Sequence, residues 1–395
     1  RAYEYGFFGI FYILGMCLGF ILLASGVASR LQSLHVATTA EIFEKKYSSI
    51  FLKHVASLLS VITMCGILIA QVIAVKKVIL SVGFHHEGIF ILFWLFIIAY
   101  TILGGLKAVV WTDIFQVLVI VGVFISLAIY FIWTSPAGFI NSFITAHKAG
   151  IFKDSAIFGL EQIYPVVLVT AMFSLIEQDL AQRFFAAKSK MVAVLSSIYA
   201  CVFLMCFAFI PLYFGISAKL SGEIMPLDGN PLVMFLKSHT GELVFVFVIC
   251  GIAAAITSTA DSLLCAISSN LAQDFKFSFF RKINNVTLSK IITFIIGIAA
   301  LLVSYVMSDD IIGIIVSSYN IMVSCLFVPT MFALFKNKLQ KKAAMYSVIS
   351  GMVAFIIFKQ FIVLGVLSDM LPLSASFIGY LVGDLLSNKK LCKGC

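Results

Sequence analysis

The sequence predicts an all-α polytopic membrane helix bundle of about eleven transmembrane helices. Three observations carry this. Of 395 residues, 62% are hydrophobic and only 11% charged, against roughly 25% charged in ordinary soluble domains. The mean hydropathy is +1.11, more apolar surface than a soluble fold of this length can hide. The apolar runs are long and continuous, which excludes the ten-residue alternation of a β-barrel.

Eleven segments are read at 5–29, 55–81, 89–103, 108–134, 163–180, 191–217, 242–268, 288–307, 311–335, 343–358 and 371–386. Most suit a spanning helix of about 20 residues, and several are short or interrupted. Gly104-Gly105, Ser135-Pro136, Asn230-Pro231 and Asn337 punctuate the turns. Thr38 followed by Glu41 is a capping-box pattern, which predicts a short interfacial helix through 41–47. A second such helix is expected over 137–149. No soluble domain or low-complexity tract is read, so residues 1–395 form one transmembrane domain. The nine cysteines are scattered, mostly in apolar runs, and make no disulfide scaffold.

Loop charge predicts orientation. Nineteen of the 27 basic residues fall on one set of loops: Arg30, Lys45, Lys46, Lys53, Lys107, Arg183, Lys188, Lys190, Lys276, Arg281, Lys282, Lys290, Lys336, Lys338, Lys341, Lys342, Lys389, Lys390 and Lys393. Arg1, Lys76, Lys77, Lys148, Lys153, Lys219, Lys237 and Lys359 fall on the other. The richer set is expected in the cytoplasm, with the C-terminus inside and the N-terminus outside. Topology thereby accounts for the net charge of +9 without a nucleic-acid partner.

Charged residues inside spanning helices are costly and read as functional. Asp113 and Asp261 are the two carboxylates well inside, each roughly 7–11 Å from the cytoplasmic end at 1.5 Å per residue. Ala255, Ser258, Thr259 and Ser262 follow i, i+3, i+4, i+7 spacing and share a face that Asp261 borders. Hydroxyl and carbonyl oxygens beside a carboxylate suit a hard cation. The competing reading is a small-residue stripe for helix packing. Gln71, Ser174 and Asn320 are candidate pocket-lining residues. Glu177, Asp179 and Arg183 read as a solvated cytoplasmic charge cluster, and Gly15 with Gly19 as a weak GxxxG match. Enzyme readings find no HExxH, no GxSxG and no intramembrane His or Lys base. No cofactor is expected.

Three stretches resemble one known family. Gly104-Gly105-Leu106-Lys107-Ala108-Val109-Val110-Trp111-Thr112-Asp113-Ile114-Phe115-Gln116 is similar to the GG-x-x-AV-x-WTD-x-x-Q signature of sodium:solute symporters. Ser258-Thr259-Ala260-Asp261-Ser262, ending in Asp274, resembles its second signature, and Gln182-Arg183-Phe184-Phe185-Ala186-Ala187-Lys188 its third. Their order and spacing match, and the resemblance covers essentially the whole chain.

The resemblance implies a LeuT-type architecture of two inverted five-helix repeats, with sites at broken helices near the midplane. It implies that the Ala255 carbonyl, Ser258 and Thr259 give half of a main sodium site. Asp113, Ser258, Asp261 and Ser262 match a second, more cytoplasmic cation site that some members carry. The acid at 261 departs from the family's hydroxyl and keeps a proton open beside sodium. The first helix here corresponds to the family's second core helix. The chain, opening on Arg1 with no signal-peptide pattern, is thus expected to lack the first core helix, whose unwound carbonyls complete the sodium site. The implied function is sodium-coupled symport of a small organic solute into the cell, in the cell membrane. A proton-coupled transporter and a non-transporting truncated remnant stay open beside it.

Overall fold

The computed structural model describes residues 2–134, 141–142, 144–145, 160–222, 230–275, 284–307, 311–360 and 367–392, and these are helical apart from their connections. Ten helices among them are long and apolar enough to cross a membrane. They are α1 (Ala2–Gln32), α3 (Ile50–Val82), α4 (Glu87–Gly105), α5 (Lys107–Thr134), α8 (Lys190–Leu220), α10 (Glu242–Asp274), α11 (Asn285–Ser304), α12 (Gly313–Phe335), α13 (Lys341–Phe358) and α14 (Ser368–Ser387). Four shorter helices lie between them among the described residues: α2 (Thr39–Tyr47), α6 (Leu160–Ser174), α7 (Gln178–Phe185) and α9 (Pro231–His239). The interfacial helix expected over 137–149 lies almost wholly outside the described residues.

The eleventh expected segment, 163–180, is a broken helix. α6 stops at Ser174, Glu177 is extended (φ −60, ψ 127), and α7 begins at Gln178. Apolar residues run through the break, so hydropathy alone reads it as continuous. A tertiary contact is seated at it: Gln178 is fully buried, and its Oε1 accepts from the Thr39 amide at 2.6 Å and the Thr39 hydroxyl at 2.8 Å. The break carries Gln178 to the N-terminus of α2, where orphan amides need acceptors.

The other irregularities are π turns and one reversal. A π turn at Leu23–Val27 in α1 contains Gly26 at φ 130, and a second occupies Val323–Phe327 in α12. Such turns insert an extra residue and re-aim the helix beyond them. Between α4 and α5 the chain reverses at Gly105 (φ 60, ψ −170), a conformation open to glycine and strained for a β-carbon.

Among the described residues, basic side chains of the two loop sets pack at opposite ends of the helices. At one end Arg30 Nη1 donates to the Leu334 carbonyl at 2.8 Å, Lys53 pairs with Glu44 at 2.7 Å and Lys336 with Asp384 at 2.8 Å. At the other, Lys237 donates to the Val82 carbonyl, Lys219 lies over the Tyr3 ring and Lys76 over that of Tyr305.

The capping box expected at Thr38 forms. Its Oγ1 accepts from the Glu41 amide at 3.2 Å, and Glu41 Oε2 reaches back to the Ala37 amide at 2.8 Å. Thr38 also donates to Asp274 Oδ1 at 2.9 Å, tying α2 to the end of α10. Tyr47 closes α2 by donating to the Pro329 carbonyl at 2.7 Å. Burial, followed by the Tyr380 hydroxyl, holds the Tyr47 phenol far above its usual pKa, so it stays a donor.

The Gly15–Gly19 pair makes the closest helix approach to α6. A β-carbon at Gly15 would lie 2.8 Å from the Val167 carbonyl oxygen, and one at Gly19 would lie 2.7 Å from the Ser174 β-carbon. Gly19→Val is therefore expected to destabilise the bundle by about 1–3 kcal/mol through overpacking, read as a lower melting temperature in detergent. An unchanged melting temperature would show that α1 and α6 are not in this close contact.

Candidate cation and substrate site

The site is built on α10, whose small residues let α4 and α5 come close. The Ala255 carbonyl accepts from Ser258 Oγ at 3.0 Å and Thr259 Oγ1 at 3.3 Å. Two hydroxyl oxygens are thus gathered within hydrogen-bond distance of one carbonyl, three oxygens on a single helical turn. All three residues are half-buried, so the face is reachable. Carbonyl and hydroxyl oxygens are the donor set that a hard alkali cation takes.

One turn further on, Asp261 is fully buried, and its Oδ2 accepts from the Tyr100 hydroxyl at 2.8 Å. Ser262 Oγ lies 3.4 Å from Asp113 Oδ2. The structure therefore places Asp113, on α5, beside Ser262 on α10. Asp113 Oδ1 and Asp261 Oδ1 are both buried without a hydrogen-bond partner among the described residues. Buried carboxylate oxygens with nothing to accept are costly in any fold. These two are oxygens with unused coordination capacity.

Arg183 is exposed and paired with Asp179, as the charge-cluster reading expects, and it also reaches across the bundle. Its Nη1 donates to Asp179 Oδ2 at 2.8 Å, within α7. Its Nη2 reaches Asp113 Oδ2 at 3.0 Å and Ser262 Oγ at 2.9 Å. The helix break explains the reach, because α7 turns the side chain back onto α5 and α10. Burial alone would lower the Arg183 pKa. The Asp179 and Asp113 carboxylates more than offset it, holding the pKa above its usual value.

Two further residues were not assigned from the sequence. Tyr100 caps Asp261, and Gln116 Nε2 donates to Thr257 Oγ1 at 2.9 Å, fixing α5 against α10. Gln116 ends the first signature quoted above, and that was its only signal. Tyr100 carried none beyond being an aromatic with a polar tip near a helix end.

The candidate pocket residues divide. Gln71 lines a cavity of about 300 Å³ together with Ala255, Phe124, Phe207, Pro211 and Ile256. The α10 face meets this cavity at Ala255. Ser174 is buried, donates to the Thr170 carbonyl at 2.9 Å and sits against Gly19. Asn320 is buried on α12 and donates to Asp369 at 3.0 Å. Its neighbour Tyr319 stacks on Phe173, ring centroids 3.8 Å apart, and shares a 2.7 Å hydrogen bond with Tyr12. Ser174 and Asn320 therefore lie along the α1–α6–α12 contact, away from the lining of the Gln71 cavity.

The sodium:solute symporter family model matches residues 1–351. The chain belongs to the sodium:solute symporter family. It is a multi-pass membrane transporter, not an enzyme, and its family supports sodium-coupled transport of a solute. In fold this symporter is similar to a solved Na+-coupled sialic acid symporter, captured substrate-bound and outward-open with a novel Na+-site. The two share a TM-score of 0.80 and 17% identity over 97% of this chain and 84% of that one. The fold is thus that of the LeuT-like sodium symporters, as the three signatures implied.

Proposed function

We propose that this protein imports a small organic solute across the cell membrane, driven by sodium bound at Ala255, Ser258 and Thr259. The supporting observation is the geometry of α10: three oxygens gathered on one turn, at the edge of a cavity that also holds Gln71. An ion and a solute placed that close affect each other directly. Each binds better when the other is present, and this differential affinity is what couples them.

Gln71 offers an amide donor and acceptor in an otherwise apolar cavity, which suits an uncharged polar group of the solute. Asp113, Ser258, Asp261 and Ser262 provide a second cation position nearer the end rich in basic residues. The positive-inside rule places that end, with the C-terminus, in the cytoplasm. The sialic acid symporter of like fold makes acidic sugars one class to include among trial solutes, beside amino acids, neutral sugars and carboxylates.

The test is solute-induced thermal stabilisation of the purified protein over such a panel, in sodium and in choline. One class is expected to raise the melting temperature in sodium and to do so far less in choline. A ligand that stabilises equally in both salts would remove the ion coupling from this reading.

A further inference from the structure

Two residues read for the second cation position are engaged by a cation already present in the protein. Arg183 Nη2 lies 3.0 Å from Asp113 Oδ2 and 2.9 Å from Ser262 Oγ. Asp113 Oδ2 also lies 3.4 Å from Ser262 Oγ, so the guanidinium closes a three-membered cluster. A sodium ion ligated by Asp113 Oδ2 and Ser262 Oγ would stand almost on the guanidinium. Two positive charges on the same oxygens repel, and the two cannot share those ligands, even with the Arg183 side chain 44% exposed.

We infer that Arg183 is a built-in competitor of the cation at Asp113 and Ser262, docking when the ion leaves and withdrawing when it binds. This rests on the cation reading of the site given above. Withdrawal leaves Arg183 paired. Asp179, one turn back on α7, holds Nη1 at 2.8 Å independently of Asp113. The guanidinium can thus move off Asp113 and Ser262 while keeping a carboxylate partner. The helix break before α7 puts both acids within its reach. Two further acids lie near the cluster: Glu177, at the N-cap of α7, and Asp261, whose Oδ2 is held by Tyr100 and whose Oδ1 has no partner among the described residues. Arg183 makes no hydrogen bond to Asp261, so the competition is for Asp113 and Ser262. Its consequence is that the second position is kept weak for sodium.

The test is equilibrium binding of ²²Na⁺ to the purified protein, comparing the wild type, Asp113→Asn, Arg183→Gln, Arg183→Lys and the double variant Asp113→Asn/Arg183→Gln. The component that depends on Asp113 is read as the difference between proteins with and without that carboxylate. In Arg183→Gln its half-saturation is expected at least tenfold lower in sodium than in the wild type. Arg183→Lys keeps the charge but loses the fork that reaches two partners, so it should fall between them. The gain should vanish in the double variant. Unchanged or weaker sodium binding in both single Arg183 variants would overturn the inference, as would a gain that survives the double substitution. Wild-type binding with unaltered Arg183 variants would overturn it alone. No sodium binding in any of the five proteins would also overturn the symport reading.

Discussion

Ser258→Ala is expected to raise the sodium concentration for half-maximal uptake about ten- to hundredfold. Ser258 Oγ sits 3.0 Å from the Ala255 carbonyl and stands in both proposed cation positions. Removing a ligand to a charge costs about 1.5–3 kcal/mol, and each 1.36 kcal/mol is tenfold in affinity. Solute recognition at saturating sodium should change much less, because the hydroxyl serves the ion. The backbone loses little, since alanine is the best helix former and the serine hydroxyl only bonds its own turn. Sodium titration of uptake in proteoliposomes reads this directly. Unchanged sodium dependence would make the Ala255–Ser262 face a packing stripe, the competing reading of its small residues.

The second large effect is on stability. Asp274→Ala should lower the unfolding free energy by about 3 kcal/mol, the order observed when one partner of a buried pair is removed. An acid in the last turn of a helix opposes the helix dipole, so its presence at the end of α10 needs a tertiary reason. Asp274 has a fully buried side chain, accepts from Thr38 at 2.9 Å and lies 3.8 Å from Lys53 Nζ. Thr38 caps α2, so one carboxylate fixes the connection between α1 and α3 against the end of α10. Lys53 keeps Glu44 as a partner at 2.7 Å, which limits the loss on its side. Thermal unfolding in detergent measures the effect. A shift of less than a degree would mean that the pair is not closed in the folded protein.

The transmembrane segments were legible because burial in lipid demands length and apolarity, and both are properties of the linear chain. The oxygen face of α10 was legible because helical spacing puts Ala255, Ser258, Thr259 and Ser262 on one side. Asp113 was legible from its depth. The break between α6 and α7 was not, because residues 163–180 read as one apolar run and the feature seated there is a contact between Gln178 and Thr39, 139 positions apart. The wider reach of Arg183 was hidden for the same reason. Its partners in sequence are Glu177 and Asp179, whereas its partners across the bundle, Asp113 and Ser262, appear only once the break turns α7 back. Gln116 and Thr257 illustrate the same limit, since a single hydrogen bond between two helices leaves no periodic trace in either. The Gly15–Gly19 spacing was visible but weak, and its meaning came from what faces it, the Val167 carbonyl and Ser174.

The central claim is that an inward sodium gradient drives accumulation of a small organic solute. It is tested most directly in proteoliposomes, using the solute that stabilises the purified protein in sodium. Uptake is followed under an imposed sodium gradient, under an imposed proton gradient, and with either collapsed by an ionophore. Accumulation above the external concentration is expected with the sodium gradient, abolished when a sodium ionophore dissipates it. Accumulation driven by the proton gradient alone, or equilibration indifferent to both gradients, would contradict the claim.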